Sequence, residues 1–324
     1  MMMTRSGLLA LAITLLAAGT GQAYAGNSPS RSAQDQEPTQ LEDVTVTATP
    51  LQRRARNFVA SVAAPPQGRK PAAWRTPICV GVSGMQPDPA GALADRVLDW
   101  GHVLGLGTGD PGCEPNIFVI VSDDGNATAE ALVRARPREF LTGASGADAG
   151  RAALETFRTS GRPVRWWHVS LPVNPDTGAP LVRLPGQFPF SAPREMSSPH
   201  QFGAYGDLTT PSRLSDRSRD DLLQVIIIVE ITAFDQANFS QIADYVSMAA
   251  LAQLNPEASP PTPSILHLFD STRTPEAGLT RWDRAYLETL YAASTSVAGG
   301  TPGRVADGMA SRLEADPPAS DPEP

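Results

Sequence analysis

Asp221-Leu222-Leu223-Gln224-Val225-Ile226-Ile227-Ile228-Val229-Glu230-Ile231 is the run from which the fold can be read. Val and Ile follow one another without polar alternation, so the run predicts a strand buried on both faces. Next comes FSQIADYVSMAALAQLNP, Phe239–Pro256. Ile242, Val246, Ala249, Ala250 and Leu254 recur at helical spacing, and Tyr245, Met248 and Leu251 widen the face. Ser240 is the expected cap, and Asn255-Pro256 the expected stop. A short apolar segment, Ser264–Phe269, precedes a closing helix. That helix is capped at Thr280, with Trp282, Tyr286, Leu287, Leu290 and Tyr291 as its inward stripe.

Upstream, Pro77–Val82 predicts a strand, and Asp88-Pro89 the start of a helix carrying Leu93, Val97, Trp100 and Leu104. Gly105–Gly112 stops that helix. These glycines do not form a phosphate loop, because a helix precedes them and a strand, Asn116–Val121, follows. Asp123 and Asp124 at that strand's end suit a metal or, alternatively, a turn and cap for a helix over 127–136. A further helix is expected over 149–160. In Arg162–Leu171 both alternating faces carry apolar bulk, which predicts a sandwiched strand. The fold class is therefore α+β, a mixed central sheet with packed helices, spanning 73–294. Residues 172–218, rich in Pro, Gly and Ser with Phe188, Phe190, Phe202 and Tyr205, form a long irregular loop insertion. Residues 26–72 read as a flexible linker and 295–324 as a disordered tail.

The chain has 324 residues and a formal net charge of -8, with few lysines and scattered arginines. That pattern argues against a nucleic-acid partner. Arg5, the apolar run Gly7–Ala18 and the small-x-small end Ala23-Tyr24-Ala25 form a secretory leader over 1–25. No later stretch reaches the roughly 20 residues of a spanning helix, so no membrane span is expected after cleavage. The expected location is periplasmic or secreted. Cys79 and Cys113 are the two cysteines, and an exported chain predicts their disulfide. Such a bridge stabilises by about 3–4 kcal/mol in the chain-entropy account.

Within 26–72 one run stands out, LEDVTVTATP, in which Val44, Val46 and Ala48 alternate. Leu41–Thr49 resembles the TonB box of outer-membrane receptors, which implies strand addition to an envelope partner. The alternative is a strand padding the protein's own sheet, or plain linker. Further on, the succession strand, helix, Ser264-Ile265-Leu266, then Leu279-Thr280 through Leu290-Tyr291 resembles the second half of a zincin metalloprotease domain. On that pattern Asp244, Tyr245 and Met248 stand where the family has His, Glu and His. Met is a poor zinc ligand and Tyr does not replace the Glu base. The resemblance therefore implies a scaffold without its metal site. The cysteine region and Arg162–Ser170 also resemble uncharacterised exported proteins of Gram-negative bacteria, a likeness that carries no activity.

No nucleophile motif accompanies the histidines. The expectation is thus no catalytic residue, no metal and no cofactor. His168, Glu230, Asp244, Tyr245 and Met248 make up a candidate binding face. The function expected is that of a non-catalytic binding or accessory module of the cell envelope. The alternative is a periplasmic hydrolase whose site the fold assembles from Asp123, Glu230, Asp244 or His168, which would require two of them to meet in one cleft.

Overall fold

A sheet of β1 (Ala73–Trp74), β2 (Val80–Ser83), β3 (Ile117–Ser122), β4 (Val164–Val173) and β5 (Arg219–Glu230) organises the molecule. The structure is a computed structural model and describes residues 49–65, 69–137, 139–140, 149–175, 177–179, 218–294 and 300–317. The leader, Leu41–Ala48 of the TonB-box-like run and residues 180–217 of the expected insertion lie outside the described residues. Thr47–Pro324 forms one unit, to which everything below belongs.

β5 is the spine. β3 runs parallel to its second half, with Ile117 opposite Val225 and Ser122 opposite Glu230. β1 runs parallel to its first half. β2 lies parallel outside β3, and β4 pairs antiparallel along the other side, Val164 opposite Val229 and Val173 opposite Arg219. The α+β class and mixed sheet expected from the sequence are those of the structure.

Side chains alternate between two cores. Ile117, Val119, Val121, Val225, Ile227 and Val229 enter the larger one, and Ile226 and Ile228 the smaller. The larger face is covered by α1 (Pro50–Val62), α2 (Pro87–Val103), α6 (Phe239–Leu251), α7 (Arg281–Ser294) and α8 (Pro302–Ala315), with α5 (Ala233–Gln236) beside them. The smaller is covered by α3 (Gly125–Ala135) and α4 (Arg151–Thr159). Helices on both faces explain why β5 reads as unbroken Val and Ile. In β4, Trp166 enters the larger core and Trp167 the smaller.

Some boundaries differ from expectation. Residues 50–62, read as linker, form a helix. Thr49 and Gln52 make a reciprocal capping box, and Ala55, Phe58, Val59 and Val62 are buried. Residues 302–315, read as tail, form another, with Val305, Ala306, Met309, Ala310 and Leu313 buried. The two pack against each other and α8 packs on α7, while Phe58 lies 6.0 Å from Trp282 and 5.8 Å from Tyr286 between ring centres. Charge and Pro/Gly content masked stripes that have somewhere to be buried only once both segments fold. α2 begins at Pro87, so Asp88 sits in its first turn rather than capping it. The cap of α6 is Asn238, bonded reciprocally with Gln241, not Ser240. α6 also ends at Leu251, short of the expected Asn255-Pro256 stop. Asp124 does cap α3, accepting from Ala127 N at 2.9 Å. Cys79 and Cys113 are bonded, with Cα atoms 6.2 Å apart, tying the approach to β2 to the loop before β3. Among the described residues, no helix is long and apolar enough to cross a membrane.

Candidate functional site

Successive residues of a helix point about 100° apart. Asp244 and Tyr245 of α6 accordingly face different surroundings, while Met248, one turn beyond Asp244, packs into the larger core. Asp244 is buried beneath α2 and the approach to α7. Its Oδ1 accepts from Arg96 Nε at 2.6 Å and Trp100 Nε1 at 3.0 Å. Its Oδ2 accepts from Arg96 Nη2 at 3.1 Å and Leu279 N at 3.2 Å. A Cβ on Gly278 would collide with this carboxylate, so a glycine there lets the chain pass. Met248 is fully enclosed in the larger core. Of the residues that the metalloprotease resemblance sets at ligand positions, Asp244 is thus taken up by Arg96, Trp100 and Leu279, and Met248 by the core. Among the described residues, no three His, Cys, Asp or Glu side chains are grouped to hold a metal ion.

His168 belongs to a different device. The last four carbonyls of a helix lack partners within it, and here that end is buried. Side chains from three elements supply the donors. His168 Nε2 donates to Ala249 O at 2.8 Å, Trp74 Nε1 to Ala250 O at 2.8 Å, and Tyr291 Oη to Leu251 O at 2.7 Å. Burial holds the His168 pKa down to about 4, against the bonds to the Ala249 and Ala252 carbonyls, so the ring is neutral. Glu230, at the end of β5, accepts from Arg165 Nη2 at 2.5 Å, and Arg165 also donates to Asn126. Asp123 is exposed. The structure thus brings none of Asp123, Glu230, Asp244 and His168 together: the last three each hold a separate partner.

Tyr245, from the predicted face, lines an open space. A cavity of about 310 Å³ lies where α6 meets the segment Gly161–Pro163 and the 3-10 turn Ile265–His267. Its walls include Arg162, Tyr245, Ser259, Leu266, His267 and Phe269. The Tyr245 ring is wedged between Trp166, 6.0 Å away, and Phe269, edge-on at 5.2 Å. Burial pushes the Tyr245 pKa up to about 12, against the charge of the nearby Arg162. Arg162 also reaches Glu257 at 3.3 Å on the rim.

His267 is the residue that the sequence reading passed over. It is 3 % exposed, and its Nε2 finds no partner among the described residues. Burial and then the Arg273 charge lower its pKa, against the Pro260 carbonyl. The one available signal was a polar residue between Leu266 and Leu268 in an otherwise apolar run.

The fold places this cavity at the carboxyl end of the parallel strands, where open α/β sheets characteristically take ligands. Glu230 N donates to Pro163 O at 2.7 Å, so the end of β5 is bonded to the cavity's rim. Arg165 Nη2 reaches Arg162 O at 3.4 Å. Glu230 thus acts here as an anchor for Arg165, which braces the rim. Below the cavity, Asp283 joins the two motifs of the closing region: it accepts from Ser264 Oγ at 2.5 Å, Ile265 N at 2.8 Å, Thr280 N at 2.9 Å and Thr280 Oγ1 at 2.8 Å. No protein-family model, curated protein or solved structure matches the chain.

Proposed function

We propose that the mature chain is an exported, non-catalytic binding module of the cell envelope, periplasmic or secreted, that holds a small ligand in the Tyr245–His267 cavity. The observation that carries this reading is the contrast in satisfaction. His168, Glu230 and Asp244 are occupied by internal bonds, whereas Tyr245 and His267 line an open space and His267 Nε2 has no partner among the described residues. Buried polar groups are nearly always bonded, so an orphan beside a cavity points to something that enters it. The leader-like start and the disulfide support export. The Ser264 turn bonded to the Thr280 cap through Asp283 supports a metal-free zincin-like origin. An envelope partner recognising Leu41–Thr49 belongs to the same proposal, although Thr49 itself is engaged as the cap of α1.

A fragment screen by saturation-transfer NMR on the chain from Gly26 onward tests the reading. Bound fragments should contact the Tyr245 and Phe269 rings and be recovered unchanged. Turnover that depends on His168, Glu230 or Asp244 would overturn it, as would fragments that bind only elsewhere.

A further inference from the structure

We infer that the cavity takes a small zwitterion with an apolar body, of the free apolar amino-acid class, its carboxylate set against Arg162 and its ammonium against Asp270. This rests on the binding reading above and names the chemistry of the ligand. The wall carries one residue of each charge, on separate segments: Arg162 precedes β4, and Asp270 follows the turn Ile265–His267. Their side chains are 36 % and 34 % exposed, so a ligand can reach them. Arg162 gives Nη2 to Glu257 at 3.3 Å, a carboxylate that is itself 66 % exposed. A guanidinium has five N–H donors, so that bond leaves others over. Asp270 Oδ1 accepts from Thr272 N at 2.9 Å and Thr272 Oγ1 at 2.6 Å, whereas Oδ2 lies 3.7 Å from Arg273 Nε. That separation is beyond a hydrogen bond, so Oδ2 keeps its capacity to accept. Ion pairs this exposed hold weakly and yield to a better-placed partner.

Other ligand classes match less well. The charges at the wall and their partners cancel, Arg162 and Arg273 against Glu257 and Asp270. His267, in the same wall, adds no charge near neutral pH, since burial lowers its pKa. A lone anion drawn to Arg162 would enter a space walled also by Asp270, and a lone cation drawn to Asp270 would enter one walled also by Arg162. A zwitterion presents each wall with its opposite. An uncharged ligand would strip water from both charges without replacing it. Tyr245, Leu266 and Phe269 supply apolar wall, with Phe269 edge-on to the Tyr245 ring, which suits a hydrocarbon side chain. At about 310 Å³ the space is at the small end of ligand sites, the size of one amino acid rather than a peptide.

The test is titration of the chain from Gly26 onward with four probes, followed by calorimetry and by the NMR signals of the Tyr245 and Phe269 rings. The probes are leucine, 4-methylpentanoate, which lacks its ammonium, 3-methylbutylamine, which lacks its carboxylate, and 3-methylbutanol, which lacks both charges. Leucine should shift both rings and bind at least about tenfold tighter than any other probe, the ratio for one hydrogen bond to a charged group. Arg162→Gln should bring leucine down to the affinity of the amine while leaving the amine unchanged. Asp270→Asn should do the converse, bringing leucine down to the carboxylate and sparing the carboxylate. Should either variant fail to fold, the wild-type ranking still decides. Equal or tighter binding of the carboxylate, the amine or the alcohol at these rings overturns the zwitterion inference and leaves the cavity a binding site. The inference also falls alone if none of the four binds while screened fragments still contact Tyr245 and Phe269. If no fragment contacts them either, the binding reading falls with it.

Discussion

Two neighbouring regions of this molecule treat buried polar groups in opposite ways. Around Asp283, beneath the turn that begins at Ser264, one carboxylate takes up four donors and nothing is left over. Three residues along the same turn, His267 Nε2 has no partner among the described residues. The same division runs along α6: Asp244 accepts four bonds, while the adjacent Tyr245 faces the cavity. Saturated groups hold elements in place, and an unsaturated one leaves a vacancy that chemistry can fill. His267 stands apart from other unpartnered buried groups, such as Tyr286 Oη and Trp167 Nε1, in that its residue lines the cavity.

The largest expected effect lies on the saturated side. Asp283→Ala would leave four donors stranded at a fully buried position, and should destabilise the fold by about 3–5 kcal/mol, read from urea unfolding. A change below about 1 kcal/mol would mean that the network contributes little and would blur the contrast.

A second, smaller effect is read with pH. His168 has its pKa lowered from 6.5 to about 4, chiefly by burial. Its contribution is complete above 6.5 and is lost as pH falls towards 4, about 3 kcal/mol in all. Asp283 is shifted the other way, from 3.8 to about 6, because burial outweighs its donors. Its contribution is complete below 3.8 and is lost as pH rises to about 6, again about 3 kcal/mol. The two slopes oppose each other between pH 4 and 6. In denaturant melts across that range, His168→Gln should expose stability that rises on acidification. Parallel pH profiles for wild type and variant would contradict the neutral-histidine assignment.

The smallest effect belongs to the cavity. Tyr245→Phe removes the hydroxyl of a residue that lines the cavity. Stability should change by no more than about 1 kcal/mol, while fragments bound in the cavity should lose about tenfold in affinity. Equal loss of fold and of binding would place Tyr245 with the structural groups after all.

Much of the scaffold was legible because period and punctuation agree. The unbroken Val/Ile run of β5, the stripes of α2, α6 and α7, Thr280 with Asp283, and the cysteine pair all carry local signals that tertiary packing does not reverse. α1 and α8 were not read, although Leu51, Ala55, Phe58, Val59 and Val62 keep helical spacing, because arginines and flanking prolines suggested solvent. Each stripe needs the other helix and α7 before it is buried. Of the candidate face, Tyr245 lines the cavity, while His168, Glu230 and Asp244 hold internal partners. A sequence shows that Asp244 and His168 are polar residues in apolar company, but not that Arg96, Trp100 and the end of α6 are waiting for them.

The pairing of α1 with α8 also says where this protein should be cut. A version trimmed to 73–294 keeps every strand, yet it discards both members of one layer and bares the rings of Trp282 and Tyr286 to water. Anyone shortening the gene to improve yield should keep Pro50–Val62 and Pro302–Ala315, and expect aggregation from cuts that remove either helix.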